Sequence, residues 1–309
     1  MQRWGGIFVV LAACSAAPTG TPTPTPVART RVALGPSALA AIAQRPEVVA
    51  VDGDVALVCS EAAPASDSED AVPDCDAARI GADGALVELG RGGLLAAARL
   101  DDRQLVLLTR ERSLRVRAGE HETEIARDVA DPRVAPDRRA IAFTQLPAGA
   151  TTIDPSTTGH LVLLDLDRGT RRTITDHPMD SSPFPRPGSD DVLFVSGRTG
   201  LASLWLASPG RPARQLTNVG AREVGPGFVP VPGRELTWLD AHVAVYTATY
   251  DGVSTLWAID VDRGRAAQVA DARLPQVVDG GDAIVALARD GAPTTLDRAA
   301  IAHALEVTP

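Results

Sequence analysis

The chain has 309 residues, of which 45% are hydrophobic and 22% are charged, close to the average for globular proteins. Its 39 acidic residues outnumber its 30 basic ones, and the net charge of −9 argues against a nucleic-acid-binding surface, which needs a basic excess. Beyond the N-terminus no apolar run approaches the roughly 20 residues of a membrane-spanning helix, which excludes a multi-pass membrane protein.

The first 13 residues have the pattern of a signal peptide. Arg3 supplies a positive charge, and residues 4–13 form an apolar run that is too short to span a bilayer. The tetrad LAAC ends at Cys14 and resembles the lipobox of bacterial lipoproteins, which implies that Cys14 is lipidated and becomes the mature N-terminus. The lipid would anchor the chain to a membrane. An ordinary secretory signal that is cleaved nearby is the alternative.

The residue after Cys14 bears on the location of the protein. It is Ser15, and resemblance to Gram-negative lipoproteins implies sorting to the periplasmic face of the outer membrane. In other bacteria the same anchor would hold the chain on the outer face of the cytoplasmic membrane. Residues 14–30 are predicted to form a flexible linker, because the run TPTPTP at 21–26 favours an extended chain without a core. Residues 31–309 form the folded domain.

The remaining cysteines, Cys59 and Cys75, make an even pair, which predicts a disulfide in an oxidising compartment. The bridge would enclose or flank a run of carboxylates, which are candidate Ca²⁺ ligands. The candidates are Asp67, Glu69, Asp70, Asp74 and Asp76. Their spacing does not match an EF-hand, so we interpret the segment as a solvated insertion between two strands and predict neither a metal nor another cofactor.

Most of the domain has the pattern of an all-β fold. Short apolar runs alternate with Gly, Pro and Asp turn signals every 8–12 residues, which is typical of a sandwich, barrel or propeller. Helical periodicity is confined to residues 36–44 and 298–305. Three segments then repeat one plan, beginning near residues 131, 181 and 224. Each combines a Pro-rich turn, an apolar run and a second run such as LVLLDLDRG or LWAIDVDRG.

This repeat resembles that of TolB-like, WD40-like (PD40) β-propellers, on the strength of Pro136-Asp137 followed by IAF, the two Leu-Trp pairs at 204–205 and 256–257, and Gln-Leu-Thr at 215–217. The consensus glycine after Pro-Asp is Arg138 here. The resemblance implies a β-propeller, and the repeat length gives about six four-stranded blades. A single blade cannot bury both of its faces, so several must stack in a ring.

Eight residues of the repeat have structural roles in this interpretation. Pro136 and Asp137 fit a type I turn, which we expect to join one blade to the next. The Asp-x-Asp-Arg-Gly runs predict tight outer hairpins, and the tryptophans are expected to pack between blades. The hairpin and packing residues are Asp165, Gly169, Asp260, Gly264, Trp205 and Trp257.

No catalytic residue is predicted. The chain lacks a Gly-x-Ser-x-Gly elbow, a Lys-containing phosphate loop and an HExxH motif, and its five histidines are scattered. The arginines at 110, 112, 115 and 117 are either an anion-binding strip or a solvent-facing strand. We therefore expect an envelope lipoprotein whose propeller is a non-enzymatic protein-binding scaffold. Resemblance to TolB implies an envelope protein or peptidoglycan-associated partner. The alternatives are a small-molecule or glycan sensor and a metal-dependent propeller hydrolase or lactonase.

Overall fold

The computed structural model describes residues 33–59, 74–90, 92–150, 159–200, 202–217, 232, 235–250, 252–278 and 281–307. The predictions for the signal peptide, Cys14, Ser15, the linker and the carboxylates Asp67, Glu69 and Asp70 lie outside these residues. Within them the chain forms 23 strands and two helices, α1 (Pro36–Ala43) and α2 (Arg298–Val307). No helix in this described part is long and apolar enough to cross a membrane.

The strands form six antiparallel sheets, and in each sheet the strands lie side by side in chain order. The first three sheets contain β1 (Val48–Asp52), β2 (Val55–Cys59), β3 (Cys75–Ile80) and β4 (Leu86–Gly90); β5 (Leu94–Arg99), β6 (Gln104–Thr109), β7 (Leu114–Ala118) and β8 (His121–Ala126); and β9 (Val129–Val134), β10 (Ala140–Gln145), β11 (His160–Asp165) and β12 (Thr170–Thr175). The last three contain β13 (Asp180–Pro185), β14 (Val192–Ser196), β15 (Ser203–Ala207) and β16 (Arg214–Gln215); β17 (Leu236–Trp238), β18 (Val243–Tyr250), β19 (Val253–Asp260) and β20 (Arg265–Ala270); and β21 (Ala272–Val278), β22 (Ala283–Ala288) and β23 (Pro293–Asp297).

Six buried apolar clusters join the sheets into a closed ring. Each cluster takes residues from two neighbouring sheets, and one of them joins the sixth sheet to the first. The molecule is therefore a six-bladed β-propeller, as predicted. Blades 1 to 5 have four strands each, whereas blade 6 has three strands among the described residues. Trp205 and Trp257 pack in the clusters between blades 3 and 4 and between blades 4 and 5.

The ring is closed by a helix. Leu39 and Ile42 of α1 pack between Ala56 of blade 1 and Val285 of blade 6, and α1 also contacts β22 and β23. The close approach depends on Gly84, because a Cβ there would lie 2.3 Å from the Cβ of Ala41. After β23, the second helix packs against β19, β20 and β23, where Ile301 and Leu305 are buried.

The two ends of the ring differ in their connections. We call the end where the inner strands begin the loop face; it also carries the connection between the second and third strand of each blade. The opposite end, where the inner strands finish, is the turn face, and it carries the tight hairpins within each blade. The long connections at 60–74, 146–159 and 216–235 start and finish at the loop face.

The predicted Pro-Asp turn forms, but its place in the fold was predicted wrongly. Pro136 and Asp137 lie between β9 and β10 of the same blade, where Arg138 N donates to Ala135 O at 2.8 Å and Asp137 Oδ1 accepts from Arg139 N at 3.1 Å. Successive blades are instead joined on the opposite, loop face. The turn pairs the first strand with the second because Ala135 N also donates to Ala140 O at 2.8 Å, which extends the β9–β10 ladder.

The Asp-x-Asp-Arg-Gly runs form the predicted hairpins, β11–β12 and β19–β20. In the first, Asp165 Oδ1 accepts from the backbone N–H of Asp167 at 3.0 Å and of Arg168 at 2.9 Å. Asp260 does the same in the second, with both distances 3.0 Å. Gly169 and Gly264 follow with φ values of 64° and 69°, which favour glycine.

Candidate functional site: the central channel

The inner strands of all six blades line a central cavity of about 660 Å³. This volume lies in the range of small-ligand pockets. Each inner strand is hydrogen-bonded to the second strand of its blade, so its other edge faces the channel. Such an edge carries backbone N–H and C=O groups that can bind a ligand in extended conformation. The cavity is therefore the candidate functional site.

A repeated kink shapes the wall of the channel in blades 3, 4 and 6. Asp131, Ser182 and Leu274 have φ values of 46°, 49° and 55°, and each is followed by proline. At these places the pairing with the second strand shifts register, as in a β-bulge. A left-handed backbone at a residue as large as leucine is strained, and such strain is often found at binding sites.

The residue after each of these prolines lines the cavity. These three residues are Arg133, Phe184 and Gln276. The Arg133 guanidinium lies over the Phe184 ring, 5.3 Å from its centroid, in a cation–π contact. Gln276 is only 3% exposed, and its Oε1 has no hydrogen-bond partner among the described residues.

Blades 1 and 2 provide an apolar wall. The matching positions beside their bulges are Ala50 and Ala96, and the residues around them are valine, leucine and alanine. Val49 is 48% exposed although it is an apolar residue of the inner strand. The channel thus has one apolar side and one side with polar groups.

Polar groups are concentrated near the loop face. Arg112, Asp131, Glu235 and Arg273 line the cavity there, with the hydroxyls of Thr249 and Ser254. Glu235 also holds the strained bulge of blade 6, because its Oε2 accepts from Leu274 N at 2.9 Å. The channel mouth at the loop face therefore carries charged side chains, and one of them, Glu235, also stabilises the bulge of blade 6.

An ionic network crosses three blades at the turn face. Asp54 of blade 1 accepts two hydrogen bonds from Arg99 of blade 2, at 2.5 and 2.6 Å. Arg138 of blade 3 is 2% exposed and donates to Arg99 O at 2.5 Å and to Asp52 Oδ2 at 3.3 Å. Arg138 has φ 59°, the conformation that favours the consensus glycine, and its side chain uses this position to reach blade 1. Asp52 at the end of the channel is thereby paired.

Two further charge clusters lie outside the channel. At the loop face Arg198 pairs with the buried Asp180 and lies 4.7 Å from the centroid of the Trp205 ring. At the turn face His242 Nδ1 lies 2.5 Å from Asp262 Oδ2, and this contact, with the nearby Arg186, holds the pKa of Asp262 below its ordinary range. Both clusters join neighbouring strands or blades, which is a structural role.

The predicted disulfide is present: Cys59 and Cys75 face each other across β2 and β3 and also line the channel near the loop face. Of the acidic candidates, Asp74 and Asp76 accept from the backbone N–H groups of Gly93 and Gly92, at 2.7 and 2.6 Å. Among the residues that the structure describes, no group of three His, Cys, Asp or Glu side chains could hold a metal ion.

The sequence reasoning did not identify the channel residues Arg133, Gln276 and Glu235. A usable signal for Arg133 and Gln276 was the proline that recurs in the inner strands at 132, 183 and 275, directly before Arg133, Phe184 and Gln276. Of the predicted arginine strip, Arg115 and Arg117 have partners in blades 2 and 1, whereas Arg112 lines the channel. Arg115 contacts Glu122 at 3.3 Å, and Arg117 donates to the carbonyl of Leu89.

Comparisons with known proteins support the fold alone. No family model and no curated protein matches the sequence. Among solved structures the chain is similar to TolB from Acinetobacter baumannii, with 16% identity, a TM-score of 0.52, and coverage of 81% of this chain and 63% of TolB. It is also similar to an oligogalacturonate lyase in complex with manganese, with 12% identity, a TM-score of 0.51, and coverage of 85% of this chain and 72% of the lyase. The fold is thus TolB-like, and it does not by itself decide between binding and catalysis.

Proposed function

We propose that the protein is a membrane-anchored binding scaffold of the bacterial cell envelope, and that its loop face recognises a protein partner. The anchor is the lipidated Cys14 predicted from the sequence. The observation that carries the proposal is the direction of α1, which sets where the N-terminal segment leaves the ring.

The direction of α1 follows from its two glycine neighbours. A Cβ at Gly84, in the β3–β4 turn of the turn face, would lie 2.3 Å from Ala41 Cβ and 3.3 Å from Ala38 O. A Cβ at Gly291, in the β22–β23 turn of the loop face, would lie 3.8 Å from Nε2 of Gln44, the residue after the helix. The helix therefore runs from the turn face towards the loop face, and β1 begins there. Residue 33 precedes the turn-face end.

This direction favours presentation of the loop face. In a chain that is tethered through residues before 33, the tether attaches at the turn face, and the loop face lies on the side opposite this attachment. The loop face carries the charged mouth of the channel, and the longest connections between strands start and finish there. Loops on a rigid scaffold are the usual place for recognition. The geometry of the fold is thus suited to a scaffold that binds a partner away from the membrane.

The proposal is tested by photo-crosslinking in bacterial cells. A photoreactive amino acid replaces Glu111 or Arg289, exposed on loop-face turns, or Arg168 or Arg263, exposed on turn-face hairpins. We expect a discrete crosslinked protein from the first pair of positions and not from the second. The Cys14→Ser variant should lose both the crosslink and membrane fractionation. Crosslinks confined to the turn face, or none at all four positions, would contradict the proposal.

A further inference from the structure

We propose that the central channel binds a neutral, elongated small molecule: an alkyl chain that ends in an uncharged carboxamide. The amide would bind Gln276, and the chain would lie along blades 1 and 2. This inference goes beyond the proposed function, because it assigns a small ligand to the interior of the ring in addition to the protein partner of the loop face. Three features of the channel carry it: the buried amide of Gln276, the balance of charge in the wall, and the apolar side.

The first feature is an acceptor without a donor. Gln276 lines the cavity and is only 3% exposed, and its Oε1 has no hydrogen-bond partner among the residues that the structure describes. A buried acceptor without a partner is destabilising, so its position beside a cavity points to a ligand that donates. The last torsion of a glutamine side chain is soft, and a turn of the carboxamide presents its oxygen to such a ligand. A second primary amide is a good match, because two carboxamides can each donate to the other.

The second feature is the balance of charge. The described residues of the wall include three arginines and three carboxylates, which are Arg112, Arg133, Arg273, Asp52, Asp131 and Glu235. Asp52 is paired with Arg138, and Glu235 accepts from the backbone N–H of Leu274. With equal numbers of both signs, this wall has no excess charge to offset the cost of removing an ion from water. The balance therefore favours a neutral ligand.

The third feature is the apolar side of the channel. Residues 49–51 of β1 and 94–98 of β5 line the cavity, and all of them are valine, leucine or alanine. Five residues of a strand extend about 16 Å, so this wall suits an elongated body. An alkyl chain buries its surface there without a polar group. A peptide would bring an N–H and a C=O to the same wall at every residue, and burying these groups without partners is unfavourable.

The position of Gln276 relative to this wall sets the orientation of the ligand. Gln276 belongs to blade 6, which a buried cluster containing Val285 and Ala56 joins to blade 1. The acceptor and the apolar side are therefore neighbours around the channel. A carboxamide held by Gln276 places its alkyl chain beside β1 and β5. The cavity of about 660 Å³ has the volume of a small-ligand pocket.

The test compares probes that share one acyl chain. Octanamide is neutral and donates, methyl octanoate is neutral without a donor, and octanoate is an anion. Calorimetric titration of the full-length chain in detergent should show saturable binding of octanamide. Methyl octanoate should bind about tenfold more weakly because it leaves Gln276 without a donor, and octanoate should also bind about tenfold more weakly because its charge must leave water.

Several outcomes would overturn the inference. They are equal affinity of octanamide and methyl octanoate, tighter binding of octanoate than of octanamide, and no saturable binding of octanamide. The neutral peptide acetyl-Ala-Leu-Leu amide is a further probe, since the strand edges of the wall could instead bind an extended backbone. Tighter binding of this peptide than of octanamide would assign the channel to a peptide and contradict the alkyl ligand.

Variants assign the binding to its residues. Gln276→Met removes the acceptor at similar size, so the ratio of octanamide to methyl octanoate affinity should fall close to one. Val49→Phe places a larger side chain in the channel and should weaken octanamide about tenfold. Val87→Phe is the matched control, because Val87 lies on the outer strand of the same blade with the same exposed fraction, 48%, and this change should leave the affinity unaltered.

The same detergent is present in every titration, so partition of a probe into micelles cancels between the parent and its variants. An unchanged ratio in Gln276→Met, or equal weakening by Val49→Phe and Val87→Phe, would contradict the assignment. If Gln276→Met fails to fold, the comparison of octanamide with methyl octanoate on the parent chain still decides.

Discussion

The closure of the ring by α1 makes one substitution especially informative. Gly84 has φ 80°, and its Cα faces Ala41 and Ala38 of α1. An alanine there would bring two Cβ atoms to 2.3 Å, whereas ordinary contacts begin at 3.4 Å, so the helix must shift by about 1 Å. The shift would loosen the buried contacts of Leu39 and Ile42, which join blade 6 to blade 1.

The cost of Gly84→Ala has two parts. A left-handed backbone with a Cβ costs about 1–2 kcal/mol wherever it occurs. Overpacking a well-filled contact adds about 1–3 kcal/mol. Gly169→Ala is the matched control, because Gly169 lies in the corresponding turn of blade 3 with φ 64° and nothing within 4 Å of its Cβ position. Gly169→Ala has the backbone cost alone, and it lowers the conformational entropy of the unfolded chain by the same amount as Gly84→Ala.

The assay is thermal unfolding of both variants and the parent by calorimetry. At about 2 °C per kcal/mol for a domain of this size, we expect Gly84→Ala to melt about 2–6 °C below Gly169→Ala. A second measurement is the rate of proteolytic cleavage within residues 33–47, which should increase in Gly84→Ala below the temperature of global unfolding. Equal melting temperatures of the two variants would refute the view that α1 seals the ring at this glycine.

Three further predictions concern the ionic and covalent links. Arg138→Met should lower the free energy of unfolding in urea by about 3 kcal/mol, because it leaves Asp52 without its buried partner. Adding Asp52→Asn to this variant should recover part of the loss. Strictly additive effects of the two substitutions on the free energy of unfolding would contradict the pairing. Replacing Cys59 and Cys75 by serine should cost about 3 kcal/mol by the same measurement, since the bridge closes a separation of 16 residues, and an unchanged midpoint would show that it contributes nothing. Asp262 has a pKa below its ordinary value of 3.8 because of its hydrogen bond with His242, so its contribution is complete above that value and is lost as the pH falls below it. Asp262→Asn should therefore flatten the fall of unfolding free energy as the pH drops below 3.8, and an unchanged slope there would exclude the linkage.

The outer parts of the blades could be predicted from sequence because their signals are local. Asp165 and Gly169 define a hairpin within five residues, and the hydrogen bonds of Asp165 lie within three. The tryptophans could be placed because they recur with the repeat. In both, Nε1 donates to a hydroxyl two residues earlier, Ser203 at 3.2 Å and Thr255 at 3.0 Å.

The channel and the closure of the ring could not be predicted, because they depend on distant parts of the chain. The position of Arg133 is set by a bulge at Asp131, and the bulge is visible only once β9 pairs with β10. Blades 1 and 2 form regular four-stranded sheets although the repeat is hard to recognise there, since alternation and burial suffice without a Pro-Asp turn. The short helix at 36–44 was predicted, but its place between the first and last blades was not.

The helical seal also has a consequence for the order of folding. Leu39 and Val285 belong to one cluster, so a contact near the start of the domain waits until nearly all of the chain has been synthesised. Contacts of such long sequence separation form slowly, because a large loop must be closed before they are made. Until then the apolar surface of Ala56 and Ile80 in blade 1 lacks its contacts with blade 6. The growing chain is therefore at its most aggregation-prone late in synthesis, when five blades are complete and the ring is still open.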